Sequence, residues 1–328
     1  MPCNVCATCR GGRYNLCRKL RFRSSAKSYP HYQGTLQERI NHPAQWCHRL
    51  PDHISFDAAA LLEPLSVAIH AVNRAKPAPG STALVIGAGT VGLLTAAMAR
   101  QAGCTTVAIA DVDEGRVNYA IEKGFATHGK VVGRQLHTSA SSSSICTSDS
   151  GTSTPDSGTM TPASVFNQLD HAKSMAQKLI EAAKPVDPLM MFYDEDDDDG
   201  FDITFECTGK EICMQTSMYA TKCGGKVIMV GMGTPIQTLP MSAAHLREVD
   251  ILGIFRYANT YKTGIRLLNA AFADKAKGAA GTGFHFPSLD DMVTHRFIGL
   301  ANAKGAFDLA SRTVDDDGNL VLKVVIEA

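Results

Sequence analysis

The chain has 328 residues, and its 32 lysines and arginines are balanced by 32 aspartates and glutamates. That length holds two domains of ordinary size, and the charge balance offers no electrostatic hold for nucleic acid or an anionic membrane. Ten cysteines in a chain whose start, MPCNVCATCRGG, carries no apolar export segment read as metal ligands and buried thiols of a cytoplasmic protein, not as disulfides.

Cys3, Cys6, Cys9 and Cys17 come first, separated by two, two and seven residues. Four thiolates in so short a stretch suit a closed tetrahedral zinc site, with Gly11-Gly12 giving the last cysteine room to fold back. An iron–sulfur cluster is the rival, but bacterial ferredoxin runs have a shorter last gap and a following proline, where this chain has Arg18. Residues 18–60 are mixed and rich in turns. The stretch 34–52 reads as two short strands joined at His42-Pro43, with Trp46 in the core. His31, His42, His48 and His53 lack a partner at ligand spacing and read as surface or packing residues. ALLEPLSVAIHAVNRA (60–75) follows as a helix with Glu63 and Pro64 in its first turn, where an acid ordinarily complements the helix dipole.

The next stretch, ALVIGAGTVGLLTAAMARQAGCTTVAIAD (83–111), is a strand, a helix and a second strand. Gly87, Gly89 and Gly92 complete a G-x-G-x-x-G, and Asp111 ends the second strand nineteen residues after the last glycine. An ordinary βαβ unit could carry a glycine turn, but strand, spacing and acid agree on a dinucleotide site. Gly87 allows the tight turn, Gly89 lets the backbone approach a pyrophosphate, and Gly92 lets helix and strand pack closely. The pyrophosphate would sit on the free N–H groups of the helix start, with Val91 beside it as a further contact. Asp111 would accept from a ribose 2′-hydroxyl and repel a 2′-phosphate, which argues for NAD over NADP.

A helix runs on to about Lys123, and Lys130–Val132 is a candidate third strand. Residues 137–164 are almost wholly Ser, Thr, Gly and Pro and read as a disordered insertion. Thr154-Pro155 and Thr161-Pro162 within it could accept phosphate, though a passive loop explains them as well. Residues 165–184 are helical, and the acidic run Asp194–Asp199 is a solvated loop tip without EF-hand spacing. The β/α alternation then resumes with a strand (201–209), a helix (210–222), a strand (226–233) and a strand (247–261) that places Arg256 and Tyr257 at its end. One or two helices, the segment 293–297 and a closing strand complete the chain. In such sheets ligands bind beyond the carboxyl ends of the strands.

Taken in order, the cysteine loop, HPAQWCHRLPD, LLEPLSVAIHA, VIGAGTVGL, Asp111 with Arg116, VGMG, EVDILGIFRYANTY and VTHRF resemble the zinc-dependent medium-chain alcohol dehydrogenases, and among them the sorbitol and xylitol dehydrogenase group. The resemblance covers nearly the whole chain outside 137–164 and 190–200. It implies an α/β fold, a doubly wound parallel Rossmann sheet plus a partial GroES-like β-barrel. It divides the chain into a catalytic part at 1–66 and 253–328 and an NAD-binding domain at 67–252. The implied reaction oxidises a secondary alcohol of a polyol to a ketone and passes hydride to NAD. Carried over, Cys3, Cys6, Cys9 and Cys17 are structural zinc ligands, and Glu63 lies at the catalytic zinc. Asp111 and Arg116 hold the adenosine ribose. Val230, Gly231, Met232, Ile254, Phe255 and Arg256 meet the nicotinamide half, and Arg256 and Tyr257 contact the polyol. The resemblance also implies a homo-oligomer, dimer or tetramer.

Two departures qualify that carry-over. The family's long segment ahead of the zinc loop, with the cysteine and the His-Glu pair of its catalytic zinc, has no counterpart here, and QERI (37–40) replaces the usual Arg-Tyr-Tyr. The expectation is therefore either a dehydrogenase lacking the usual N-terminal part of its catalytic domain, or a non-catalytic chain that binds NAD and one zinc.

Overall fold

The structure is a computed structural model that describes residues 1–23, 29, 31–133, 162–184, 200–277 and 285–328. The Ser/Thr-rich stretch, but for its last three residues, and the acidic run Asp194–Asp199 lie outside these residues.

Six parallel strands form the main sheet: β1 (Thr82–Ile86), β2 (Thr106–Asp111), β3 (His128–Val131), β4 (Phe201–Glu206), β5 (Thr221–Met229) and β6 (Asp250–Gly253), in the order β3-β2-β1-β4-β5-β6. This is the doubly wound order, and its reversal between β1 and β4 opens a crevice at the carboxyl edge. Both faces are covered, which explains the unbroken apolar runs. Ala83 and Val85 of β1 and Val107 and Ile109 of β2 point into one core. Their neighbours Leu84, Ile86, Ala108 and Ala110 point into a second. The first core is closed by Leu65, Ile69 and Val72 of α3 (Leu62–Ala75) and Leu93, Leu94 and Ala97 of α4 (Thr90–Gln101). The second is closed by Ala176 and Leu179 of α6 (Pro162–Ala183).

The remaining helices are α1 (Ala7–Arg10), α2 (Phe56–Ala60), α5 (Glu114–Glu122), α7 (Glu211–Ala220), α8 (Met241–His245), α9 (Tyr261–Lys277) and α10 (Ala303–Ala310). Ser55 caps α2 by accepting from the Ala58 N–H, and Asp113 caps α5 by accepting from the Arg116 N–H, both at 3.0 Å. A second sheet pairs β7 (Val293–Ile298) with β8 (Lys323–Glu327). No helix among the described residues is long and apolar enough to cross a membrane.

Two expectations fail locally. Residues 34–52 form no strands; the stretch is irregular, with one 3-10 turn at Ala44–Trp46. A strand needs a ladder partner, and Pro43 and Pro51 offer no N–H. The backbone carbonyls of Gln33 and Asn41 are instead satisfied by the Arg23 guanidinium. Trp46 is half-buried, not core, with its ring edge against Tyr14 at 5.1 Å. The strand expected over 247–261 is only Asp250–Gly253, because Arg256 and Asn259 take left-handed conformations, φ 51° and 61°, that a strand cannot contain.

At the first glycine turn the fit is steric. A Cβ on Gly92 would lie 1.8 Å from the Gly87 carbonyl oxygen, whereas one on Gly89 would meet nothing within 4 Å. Gly92→Ala is therefore expected to lower unfolding free energy by about 1–3 kcal/mol through overpacking, and Gly89→Ala to leave it within about 0.5 kcal/mol. Urea unfolding of both variants checks this; equal losses would contradict it.

Candidate functional site

The crevice at the carboxyl edge of the sheet is built by four turns. After β1, Gly87 takes φ +104° and passes beneath Thr208. Gly89 begins α4 with extended backbone and no capping side chain, so open space faces uncapped N–H groups at the positive end of a helix. After β2, Asp111 turns back over this edge: its Oδ2 accepts from the Ala88 N–H at 2.6 Å and its Oδ1 from the Asp113 N–H at 3.0 Å. Each oxygen keeps a lone pair for a further donor. Arg116 donates to the Val321 carbonyl at 3.3 Å, and its buried Nε has no partner among the described residues. Val91 lies in the first turn of α4.

The third and fourth turns interlock. A Cβ on Gly233 would lie 1.5 Å from the Gly209 oxygen, and one on Gly231 would lie 2.1 Å from the Gly209 nitrogen. Beneath them sits Glu206, 3% exposed, which the sequence reading missed. Its Oε1 accepts from the Thr208 N–H at 2.7 Å and the Thr208 hydroxyl, and both its oxygens accept from the Gly209 N–H. Burial pushes its carboxyl above the ordinary range, against those donors. The signal was legible: one acid in the apolar run FDITFECTG, immediately before a Thr-Gly turn. Val230 and Gly231 continue this turn through their N–H bonds to the Glu206 carbonyl, while the Met232 side chain is exposed.

The second part of the site is a cavity of about 630 Å³ between the cysteine loop, the start of α3 and residues 256–261. Glu63, Arg256 and Tyr257 share its wall with Tyr261, Trp46, His48 and Lys323. The Tyr257 hydroxyl is raised well above its ordinary value by burial and by its neighbours Tyr261 and Glu63, and its ring meets Tyr261 edge-on at 5.5 Å. Burial raises the Glu63 carboxyl; the Tyr257 hydroxyl and the Arg256 and Lys323 charges pull it back. Ile254 packs on the main core, while Phe255 is 41% exposed.

This segment is held by the cysteine loop. Asn15, buried and unsuspected from sequence, donates to the Phe255 carbonyl at 2.7 Å. The Asn259 N–H donates to the Tyr14 hydroxyl at 2.7 Å, and the Asn259 side chain to the Gly12 carbonyl at 2.9 Å. The sulfurs of Cys3, Cys6, Cys9 and Cys17 all lie within 4.8 Å of one another. Ligands at about 2.3 Å around a tetrahedral zinc stand roughly 3.8 Å apart, so the donor set fits. Backbone N–H groups of Val5 and Cys6 lower the Cys3 thiol to about 6, whereas burial and the neighbouring thiols Cys6 and Cys17 push Cys9 up to about 12. Among the described residues no second group of His, Cys, Asp or Glu could hold a metal. Glu63 has phenol and cations as neighbours, so these residues do not by themselves fit a catalytic zinc.

A doubly wound sheet with this glycine turn, joined to a four-thiol group and a polar cavity, is an architecture able to hold a dinucleotide beside a small polar ligand. Residues 163–270 match the family model described as zinc-binding dehydrogenase. The chain is 31% identical over 313 residues to the sorbitol dehydrogenase of Arabidopsis thaliana, covering 95% of this chain and 68% of that one. It is 30% identical over 313 residues to the L-idonate 5-dehydrogenase of Vitis vinifera, with coverages of 95% and 68%. The fold superposes with TM-score 0.68 on a putative zinc-binding dehydrogenase from Sinorhizobium meliloti bound to NADP, at 23% identity, covering 100% of this chain and 74% of that one. The chain belongs to the zinc-binding dehydrogenase family, in its polyol dehydrogenase group, whose members are oxidoreductases.

Two outcomes follow. Elemental analysis should find one tightly held zinc per chain, lost in Cys17→Ser; a variant that keeps its zinc would contradict the thiolate site. The raised Glu206 carboxyl means that the folded chain keeps a proton which the unfolded chain has lost, so stability falls as pH rises from the ordinary value of 4.5 through the folded one. Glu206→Gln should remove that part of the decline from a plot of urea midpoint against pH. A profile parallel to the parent's would show that Glu206 does not titrate in this window.

Proposed function

We propose that this chain binds NAD in preference to NADP and takes a polyol in the cavity at Glu63, Arg256 and Tyr257, where a secondary alcohol is oxidised to a ketone. The observation that carries the proposal is Asp111. A carboxylate stands at the end of β2 beside an uncapped helix N-terminus, where it can hold ribose hydroxyls and oppose a 2′-phosphate. Bound NAD supplies the hydride acceptor. Arg116 lies on the helix that follows and would flank the ribose. The turns at Val230–Met232 and Ile254–Arg256 would face the nicotinamide from the same sheet edge.

The polyol's hydroxyls meet a wall rich in both donors and acceptors. Tyr257 and Arg256 donate and Glu63 accepts, and the aromatic rings around them shed water. Residues 1–66 and 253–328 form the catalytic part in this reading, and 67–252 the nucleotide part. The zinc at Cys3, Cys6, Cys9 and Cys17 is structural, since four protein ligands leave no open position. The exposed apolar side chains Met232, Ile236 and Leu246 are consistent with assembly into a homo-oligomer.

A second reading, binding of NAD and zinc without turnover, is favoured by one observation: among the described residues Glu63 has no companion metal ligand. Formation of NADH from sorbitol or xylitol separates the two readings. For the nucleotide itself, Asp111→Ala should weaken NAD binding by about 1–3 kcal/mol, the cost of losing hydrogen bonds to a charged group, and tighten NADP binding by removing the charge that opposes its 2′-phosphate. Calorimetric titration checks this, and tighter binding of NADP than NAD by the unaltered chain would overturn it.

A further inference from the structure

The segment VTHRF lies in β7, and none of its residues lines the cavity. Its Thr294 and His295 nonetheless reach the cavity wall through the backbone of Lys323. The β7–β8 ladder slips there: Val293 pairs with Lys323 and His295 with Val324, so Thr294 is an extra residue, and such an insertion re-aims a side chain. The Thr294 hydroxyl accepts from the Leu322 N–H at 3.1 Å and donates to the Lys323 carbonyl at 3.4 Å. Behind it, His295 Nδ1 lies 2.9 Å from the same hydroxyl, and His295 Nε2 lies 3.1 Å from Asp315 Oδ2. The imidazole and this carboxylate are 18% and 15% exposed.

A hydroxyl has a single proton to give, and here it has two claimants. Asp315 accepts from the N–H groups of Asp317 and Asn319 and from the Asn319 side chain, at 2.7–3.0 Å. The bonds from Asn319 and His295 hold its carboxyl below the ordinary range, so it acts as an acceptor. His295 Nε2 therefore carries a proton in either charge state of the ring. In the neutral ring Nδ1 is bare and takes the Thr294 proton. In the imidazolium Nδ1 is itself a donor to Thr294 Oγ1, and the Thr294 proton is left for the Lys323 carbonyl. The charged groups around the ring are Asp315 at contact, Asp317 of the same turn, and Arg312 paired with Asp316 beyond it. Lys323 stands on β8, and Arg296, next along β7, is paired with Asp57 and Glu327.

The residue held in this way belongs to the site. Lys323 lines the cavity, and its charge acts on Glu63 of the same wall. On its other side, Thr90 at the start of α4 donates to the Leu322 carbonyl at 3.3 Å. We infer that Asp315, His295 and Thr294 are positioning residues for Lys323: Thr294 grips the Lys323 carbonyl when His295 is protonated and releases it when His295 is neutral, and the affinity of the cavity for its ligand follows. The effect on the ligand rests on the reading of the cavity as a polyol site; the hold on Lys323 does not.

The test follows the Lys323 carbonyl by NMR in the full chain with isotope-labelled lysine carbonyls, over about pH 5–8, where an imidazole changes charge. Its resonance, identified by its loss in Lys323→Arg, should move along one titration with the ring nitrogens of His295. His295→Gln and Thr294→Val should abolish that movement, and Thr294→Ser should keep it. The other lysine carbonyl resonances, unmoved, verify that each variant is folded. In parallel, calorimetric titration with sorbitol should give an affinity about three- to tenfold higher at the acidic end of the interval, the range of one hydrogen bond, and His295→Gln should remove the difference. A Lys323 carbonyl that does not follow His295 overturns the inference, and so does sorbitol binding with the same pH dependence in the parent and in His295→Gln. Absence of sorbitol binding at every pH would overturn the polyol reading instead, with the carbonyl titration still deciding the hold on Lys323.

Discussion

Three hydrogen bonds join the cysteine loop to the segment after β6, and the polar cavity depends on them. Asn15 holds the Phe255 carbonyl, Tyr14 holds the Asn259 N–H, and Asn259 holds the Gly12 carbonyl. Between these points the chain takes two left-handed turns at non-glycine residues, Arg256 and Asn259. Such conformations persist when their surroundings over-determine them. The clamp turns Arg256 and Tyr257 away from the strand direction and toward Glu63 on α3. The loop making the clamp has no apolar core: α1 has no buried residue, and a 3-10 turn at Tyr14–Leu16, whose one buried residue is Asn15, is the rest of its regular structure. Four convergent thiols stand where that core would be, and a metal held by them would supply the cross-link that the loop otherwise lacks.

The nucleotide edge rests on a different constraint, backbone packed on backbone. Gly87 against Thr208, Gly92 against Gly87, and Gly209 against Gly231 and Gly233 are contacts that a single Cβ would obstruct. These turns bring β1, β4 and β5 to a common edge, and two carboxylates tie them down. Asp111 draws in the Ala88 N–H from one side, and Glu206 gathers the N–H groups of Thr208 and Gly209 from the other. Glu206 is buried and Asp111 only half-buried. The first therefore acts on the protein's own backbone, and the second has capacity left for a ligand. Between edge and cavity the link is one hydrogen bond and one peptide bond. Thr90, at the start of α4, donates to the Leu322 carbonyl, and the next residue, Lys323, lines the cavity.

Much of this was legible in the sequence because the signals were periodic or covalent. Strand runs apolar on both faces, glycines at fixed spacing and cysteines at ligand spacing each reflect one local requirement. The α/β class, the glycine turn after β1 and the four-sulfur group follow from them. The stretch 34–52 was misread because alternation alone does not supply the partner a strand needs, and Arg23 serves its carbonyls instead. The strand at 247–261 was read too long because left-handed backbone at Arg256 and Asn259 leaves no mark in side-chain pattern. Asn15 was illegible, since its role is a contact with Phe255, 240 residues away. Glu206 could have been found from its acid in an apolar run.

The most direct measurement is a crystal structure of the zinc-loaded chain with NAD. The adenosine ribose should lie on Asp111, the pyrophosphate before Gly89 at the start of α4, and the nicotinamide beside Val230–Met232, facing the cavity of Glu63, Arg256 and Tyr257. A dinucleotide bound away from Asp111 and the α4 N-terminus, or with its nicotinamide turned from that cavity, would contradict this account.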